Sequence, residues 1–129
     1  MPPKFEPMQW LLYGSVTPAV GDALVRHGHA THASGDLALP PESSPADVLH
    51  AAQQKQWDIV TNDGKLGEAV FADRVRYTRS IVWLQLEGSD VEQDDAIDRL
   101  FQRYKRLTPG RLYTVTASRV KVRQLPHRP

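Results

Sequence analysis

Stretches with the pattern of β-strands alternate with stretches that have the pattern of α-helices, and this order constrains the fold more than any other feature. Apolar strand candidates occur at Gln9–Tyr13, in "WDIVT" (57–61) and in "SIVWLQL" (80–86), and a helix candidate follows each of them. Strands that alternate with helices favour parallel pairing within one sheet. We therefore predict an α/β domain with a mostly parallel sheet flanked by helices.

The first helix has a start signal and an end signal. Thr17 followed by Pro18 predicts the start, because proline loses nothing at the first helical position, where no N–H partner exists. Gly28 is a suitable end. Within this helix Asp22 and Arg26 are four residues apart, so we expect them to pair on the solvent side.

Two later helices begin with capping-box patterns. "SPAD" (44–47) predicts a helix that runs to about Gln56, and Ser89 with Glu92 predicts the start of the longest helix. A short helix is expected between them, from Lys65 to about Phe71. The apolar residues expected to face inward in the longest helix are Val91, Ile97, Leu100, Phe101, Tyr104 and Leu107.

Composition excludes several classes of protein. The chain has no cysteine, which excludes disulfides and thiolate zinc sites and agrees with a reducing compartment. No apolar run approaches the ~20 residues that cross a bilayer, so no membrane association is expected. The first residues lack the layout of a signal peptide. We expect a loose leader over 1–8, one domain over 9–125, a tail over 126–129 and a cytoplasmic location.

Charge is distributed unevenly along the chain. Residues 1–73 carry 4 Lys or Arg against 9 Asp or Glu, whereas residues 74–129 carry 12 against 6. After Asp98 there are nine basic residues and no acid, an excess that could attract a polyanion such as RNA. The candidate nucleic-acid-binding residues are Lys65, Arg103, Lys105, Arg106, Arg119, Lys121 and Arg123.

The last part of the domain has the pattern of a β-hairpin. "RLYTVTASRVKVRQL" (111–125) alternates between apolar and polar residues on both sides of Ser118, which predicts two strands at the edge of the sheet. With this alternation Arg119, Lys121 and Arg123 share one solvent-facing side of the hairpin.

The order of these elements and three short motifs resemble small prokaryotic PIN-like domains of unknown function, which are related to toxin-type ribonucleases. The motifs are "HGH" (27–29), "IVTNDGKLGE" (59–68) and "TVTASRVKVR" (114–123), and the resemblance covers roughly residues 9–125. It implies a PIN-like α/β fold with a terminal hairpin.

The resemblance also implies where a nuclease site would lie. In the family, acids after the first strand, before a helix and after the central strand hold Mg²⁺ or Mn²⁺, which positions water to attack an RNA phosphodiester. Matched residue by residue, Tyr13, Pro45 and Lys65 stand where the family has acids. Asp63 and Glu68 match the pattern, and Asp47 lies two residues after Pro45 in the sequence.

We therefore expect a degenerate nuclease site that binds RNA or a protein partner without metal-dependent cleavage and without a cofactor. The alternative is an active, toxin-type endoribonuclease with Asp63, Asp47 and Glu68 as catalytic residues and Asp63 as a ligand of Mg²⁺ or Mn²⁺. A third class is a structural or antitoxin-binding module that docks through the edge hairpin. The sequence leaves the oligomeric state open.

Each candidate residue also has a purely structural explanation. Asp63 is equally suited to cap the following turn, Asp47 to complete its capping box and Glu68 to lie solvated on a helix. The basic residues after Asp98 suit helix ends, where cations oppose the dipole, and edge strands, where charge blocks aggregation. The histidines of "HGHATH" (27–32) offer imidazoles without an evident fourth zinc ligand.

Overall fold

A computed structural model describes residues 8–37, 39–40, 42–86 and 90–126. The predicted leader, apart from Met8, lies outside these residues, as do Ser89 and residues 127–129. The described elements, in chain order, are β1 (Gln9–Tyr13), α1 (Pro18–Arg26), β2 (Ala30–Ala33), a 3-10 turn (Ser34–Leu37), α2 (Pro45–Lys55), β3 (Asp58–Thr61), α3 (Lys65–Phe71), β4 (Ile81–Leu84), α4 (Asp90–Arg103), β5 (Arg111–Val115) and β6 (Val120–Gln124).

All six strands form one sheet with the order β2-β1-β3-β4-β5-β6. Neighbouring strands are parallel as far as β5, and β6 pairs antiparallel with β5 at the edge. The predicted mostly parallel α/β sheet with a C-terminal edge hairpin is therefore confirmed. Within the described ranges, every helix falls short of the length and apolar character that a bilayer span requires.

The sheet separates two apolar cores, because side chains alternate between its faces along each strand. On one face, α1 and α4 pack around Trp10, Val60 and Val82. On the other face, α2 and α3 pack around Leu11 and Ile59. The strands β1, β3 and β4 are covered on both sides, which explains why their sequences read as nearly continuous apolar runs.

The start signals of the first two helices identify their position correctly, but only one forms the predicted cap. In the capping box of α2, Ser44 Oγ accepts from the Asp47 N–H and Asp47 Oδ2 accepts from the Ser44 N–H, both at 3.2 Å. Thr17 precedes α1 but makes no side-chain cap, and its own N–H donates to Gln93 Oε1 of α4 at 2.9 Å.

The longest helix differs from its prediction at its end. Helix α4 ends at Arg103, so Tyr104 and Leu107, which were expected within the helix, lie in the following connection together with Lys105 and Arg106. In this connection Leu107 packs in the core. The next residue is fixed by a hydrogen bond in which the Thr108 N–H donates to the Tyr113 hydroxyl at 2.9 Å. Val91, expected to face inward, is 67% exposed.

Arg26 pairs across helices rather than within its own. Because α1 and α4 pack on the same face, the Arg26 guanidinium lies 2.7 Å from Asp94 and 3.3 Å from Asp98 instead of pairing with Asp22. His27 Nε2 also lies 2.8 Å from Asp98 Oδ1, and this hydrogen bond and the nearby Arg26 charge lower the pKa of Asp98. These ion pairs tie the two helices together at the surface.

Candidate functional site

The order of the strands places the predicted site at a topological switch point. From β1 the chain continues to β2 on one side, whereas β3 lies on the other side, so the connections after β1 and β3 leave in different directions. Ligands of open α/β sheets bind in the crevice outside the carboxyl ends of such strands. Tyr13 pairs with Thr61 in the register of β1 and β3, which places the segments after these two residues side by side.

Asn62 holds the segment after β1 against the segment after β3. The sequence did not identify Asn62 as a candidate site residue. Asn62 Oδ1 accepts from the Ser15 N–H at 2.9 Å. Gly14 has a φ of +86°, and a Cβ at this position would lie only 2.9 Å from the same Oδ1. The tight turn after β1 therefore requires glycine at position 14.

The Asp63 carboxylate closes an Asx turn immediately before α3. Its Oδ1 accepts from the Lys65 N–H at 2.9 Å, while the Asp63 N–H donates to Thr61 Oγ1 at 3.0 Å. The Asx-type cap that the sequence suggested for Asp63 is thus present. Lys65 is the first residue of α3 and is exposed. Its positive charge lies two residues after Asp63, at the same end of the sheet.

The three acids proposed for the alternative nuclease site are not brought together. Asp47 belongs to the capping box of α2, and Glu68 lies exposed in the first turn of α3, as its solvated-helix interpretation predicted. Within the described ranges, the acids that lie close enough to share a metal ion are Asp94, Asp95 and Asp98. Since Mg²⁺ needs oxygen ligands that converge on one point, Asp47, Asp63 and Glu68 do not fit a shared site for this ion.

Aromatic, hydroxyl and cationic side chains occupy the carboxyl end of the sheet instead. One cross-strand row, on the face covered by α2 and α3, comprises Tyr13, Thr61, Trp83, Thr114 and Lys121. We call this row together with Lys65 the carboxyl rim. Tyr13 and Trp83 are half-buried, whereas Lys65 and Lys121 are exposed. A Cβ at Gly64 would lie 2.8 Å from Trp83 Cζ2, so this glycine lets the chain cross close to the indole.

The predicted basic residues do not form one surface. Because β6 runs antiparallel to the other strands, Lys121 belongs to the carboxyl rim and Arg119 lies near it. Arg103, at the end of α4, and Lys105 and Arg106, in the connection that leads to β5, lie toward the opposite end of the sheet.

The hairpin presents two cations on its exposed side rather than three. Lys121 and Arg123 are exposed while Val120 and Val122 pack against the core, which confirms the predicted alternation. Arg119, however, precedes β6 and belongs to the turn. The Arg123 guanidinium lies 3.9 Å from the centre of the Phe71 ring, so this cation also packs against α3.

The histidines of the "HGHATH" segment have separate partners. His29 is buried and its Nδ1 accepts from the Met8 N–H at 3.0 Å, so this imidazole is neutral. Burial, and secondly the charge of His27, lower the pKa of His29. His32 stacks on Trp57 with ring centres 3.9 Å apart. None of the three belongs to a metal-binding group within the described part of the chain.

Comparisons of the chain with models of protein families, with curated proteins and with solved structures find no match. The resemblance to PIN-like domains therefore depends on its motifs and on the order of the elements. In the structure, "HGH" (27–29) connects α1 to β2, "IVTNDGKLGE" (59–68) contains β3 and the start of α3, and "TVTASRVKVR" (114–123) spans the hairpin turn.

Proposed function

We propose that this PIN-like domain binds single-stranded RNA at the carboxyl rim and does not cleave it by a metal-dependent reaction. The observation that carries the proposal is the cross-strand row that ends in Lys121 and contains two aromatic side chains, Tyr13 and Trp83, of which Tyr13 stands where the resembled family has an acid. Proteins that bind single strands without cleavage combine cations that contact phosphates with aromatic side chains that contact bases.

The local hydrogen bonds support the absence of metal-dependent chemistry. Asp63 and Asp47 are each engaged at the start of a helix, and Tyr13 occupies the end of β1. A lysine at position 65 favours a phosphate group over a divalent cation, because its ammonium repels the metal. In this proposal Lys65 and Lys121 neutralise phosphates, while Tyr13 and Trp83 provide the partly exposed rings.

The test is a salt titration of a fluorescently labelled RNA that carries hydroxyl groups at both ends, so that only internal phosphates are available. For a single strand, log affinity falls with log salt concentration by about 0.7 for each phosphate neutralised. The double variant Lys65→Gln/Lys121→Gln should therefore flatten the slope by about 1.4 if both lysines contact phosphate.

The matched control is Lys55→Gln/Lys105→Gln, which removes two exposed lysines near the opposite end of the sheet. This control should leave the slope unchanged. If the control flattens the slope and the rim variant does not, the strand binds elsewhere and the rim proposal is wrong. No binding by the parent protein at ~50 mM salt would contradict RNA binding altogether and favour a protein that docks on the exposed strand β6.

A further inference from the structure

A cavity of about 520 Å³ lies at the amino-terminal end of the sheet, opposite the carboxyl rim. Residues just before the parallel strands line it, among them Met8, His29 and Arg79, together with the end of α2 and the connection after α4. We call this cavity the amino cleft. Its size is within the range of about 300–1,000 Å³ that is typical of small-molecule sites.

The charged residues that line the amino cleft are all basic. They are Lys55, Arg79, Lys105 and Arg106, and no carboxylate is found among the described residues of the lining. His29 adds no charge, because its Nδ1 accepts from the Met8 N–H and so carries no proton. The cleft therefore concentrates positive charge in a concave surface, which is the arrangement that attracts an anionic ligand.

A buried aspartate offsets only one of these cations. Asp58 is 0% exposed and accepts from the Ser80 N–H at 2.8 Å and from Arg79 at 3.1 Å. Burial raises the pKa of Asp58, and these two donors oppose that effect. Within the described part of the chain, Lys55 and Lys105 form no ion pair. The Lys55 ammonium lies 5.2 Å from the centre of the Trp57 ring, a contact that does not neutralise its charge. Within the described residues, no carboxylate therefore cancels the positive charge of either lysine.

Helix dipoles do not account for all of this charge. Lys55 lies in the last turn of α2, where a cation is stabilising in its own right. Lys105 lies beyond the end of α4, and the dipole effect fades within the last turn. A second cavity of about 330 Å³, which shares Pro109 with the cleft, adds two more basic residues, Arg76 and Arg111.

Apolar side chains complete the cleft. Met8, Phe101 and Leu107 line it beside the cations. A ligand that combines a flat, weakly polar ring system with a phosphate group matches both parts of this lining. We propose that the amino cleft binds a nucleotide through its phosphate group, either as a free nucleotide or as the phosphorylated end of an RNA strand. This inference does not depend on RNA binding at the carboxyl rim.

Calorimetric titration with adenosine monophosphate, with adenosine and with inorganic phosphate tests the free nucleotide. Adenosine monophosphate should bind, and adenosine should bind about tenfold more weakly, since a charge-assisted contact to phosphate accounts for at least that factor. Inorganic phosphate should compete with the nucleotide. A second arm compares a short RNA with a 5′-phosphate and the same RNA with a 5′-hydroxyl.

The variants are the same two pairs that test the rim, with their roles exchanged. Lys55→Gln/Lys105→Gln should weaken binding of adenosine monophosphate about tenfold or more and remove the preference for 5′-phosphorylated over 5′-hydroxyl RNA. Lys65→Gln/Lys121→Gln should leave the affinity for adenosine monophosphate and that preference within about twofold, even though it weakens binding of both RNAs at the rim. Thermal unfolding of both variants separates lost binding from lost stability, because Lys55 also supports the end of α2. Selective binding of the 5′-phosphorylated RNA without binding of adenosine monophosphate identifies the strand end as the ligand.

Two results would overturn the inference. The first is that the parent protein at ~1 mM ligand binds neither adenosine monophosphate nor the 5′-phosphorylated RNA in preference to its unphosphorylated counterpart. The second is that both double variants lose binding equally. Because the rim test uses an RNA without terminal phosphates, failure of the amino cleft leaves the proposed function intact, and failure of the rim leaves the cleft intact.

Discussion

Gly14 shows how a single residue shapes the carboxyl rim. Its left-handed backbone and its close approach to Asn62 allow the chain to turn immediately after Tyr13. The Ser15 N–H then reaches the Asn62 side chain across 47 positions of sequence. A residue with a side chain at position 14 would need a different turn, so the path of the chain after Tyr13 depends on this glycine.

Gly14→Ala should destabilise the protein by about 1–3 kcal/mol, the usual cost of a strained backbone at a residue with a side chain. Gly35→Ala is the matched control, since no heavy atom lies within 4 Å of a Cβ built there. That control should change the free energy of unfolding by less than about 0.5 kcal/mol. Urea denaturation of both variants measures the difference, and equal stability of the two would show that the turn after β1 tolerates a side chain.

At the scale of single elements, the capping hydrogen bonds explain most of what the acids near the rim do. The Asx turn before α3 needs an oxygen at position 63 but no negative charge, because Asp63 Oδ1 accepts from a backbone N–H. The capping box of α2 uses Asp47 in the same way. Both acids thus have a structural role that is independent of a metal ion.

Replacement of Asp63 distinguishes a cap from a metal ligand. Asp63→Ala should lower the free energy of unfolding by about 1 kcal/mol, as for the loss of a helix cap, whereas Asp63→Asn keeps the acceptor and should retain most of it. Addition of Mn²⁺ should leave these differences unchanged in thermal unfolding. Stabilisation by Mn²⁺ of the parent protein but not of Asp63→Asn would identify Asp63 as a metal ligand.

Local signals predict the elements well and their long-range partners poorly. The bounds of β1 and α3 follow from apolar runs and from turn residues that lie within a few positions of each other. By contrast, Arg26 pairs with Asp94 and Asp98 on α4, 68 and 72 positions away, and not with Asp22, the partner that helical spacing predicted. The role of Asn62 depends on β1 and β3 being neighbours, which only the strand order reveals.

At the scale of the whole molecule, topology divides a continuous basic sequence between two ends of the sheet. Lys105 belongs to the amino cleft, while Lys121, only 16 positions later, belongs to the carboxyl rim, because β5 crosses the sheet between them. The run of nine basic residues after Asp98 is therefore not one patch. The two ends offer different chemistry. One has an open row with aromatic side chains, and the other has a concave lining whose charged residues are all basic.

Incubation of labelled single-stranded RNA with the parent protein in Mn²⁺ and, in parallel, in EDTA tests the central claim most directly. Binding is measured by fluorescence anisotropy and strand integrity by denaturing gel. We predict that the RNA binds with the same affinity, within about twofold, in both solutions and remains full-length, because phosphate contacts by lysines need no metal ion. Cleavage that appears with Mn²⁺ and is lost in EDTA and in Asp63→Ala would contradict the account and establish the domain as a metal-dependent ribonuclease.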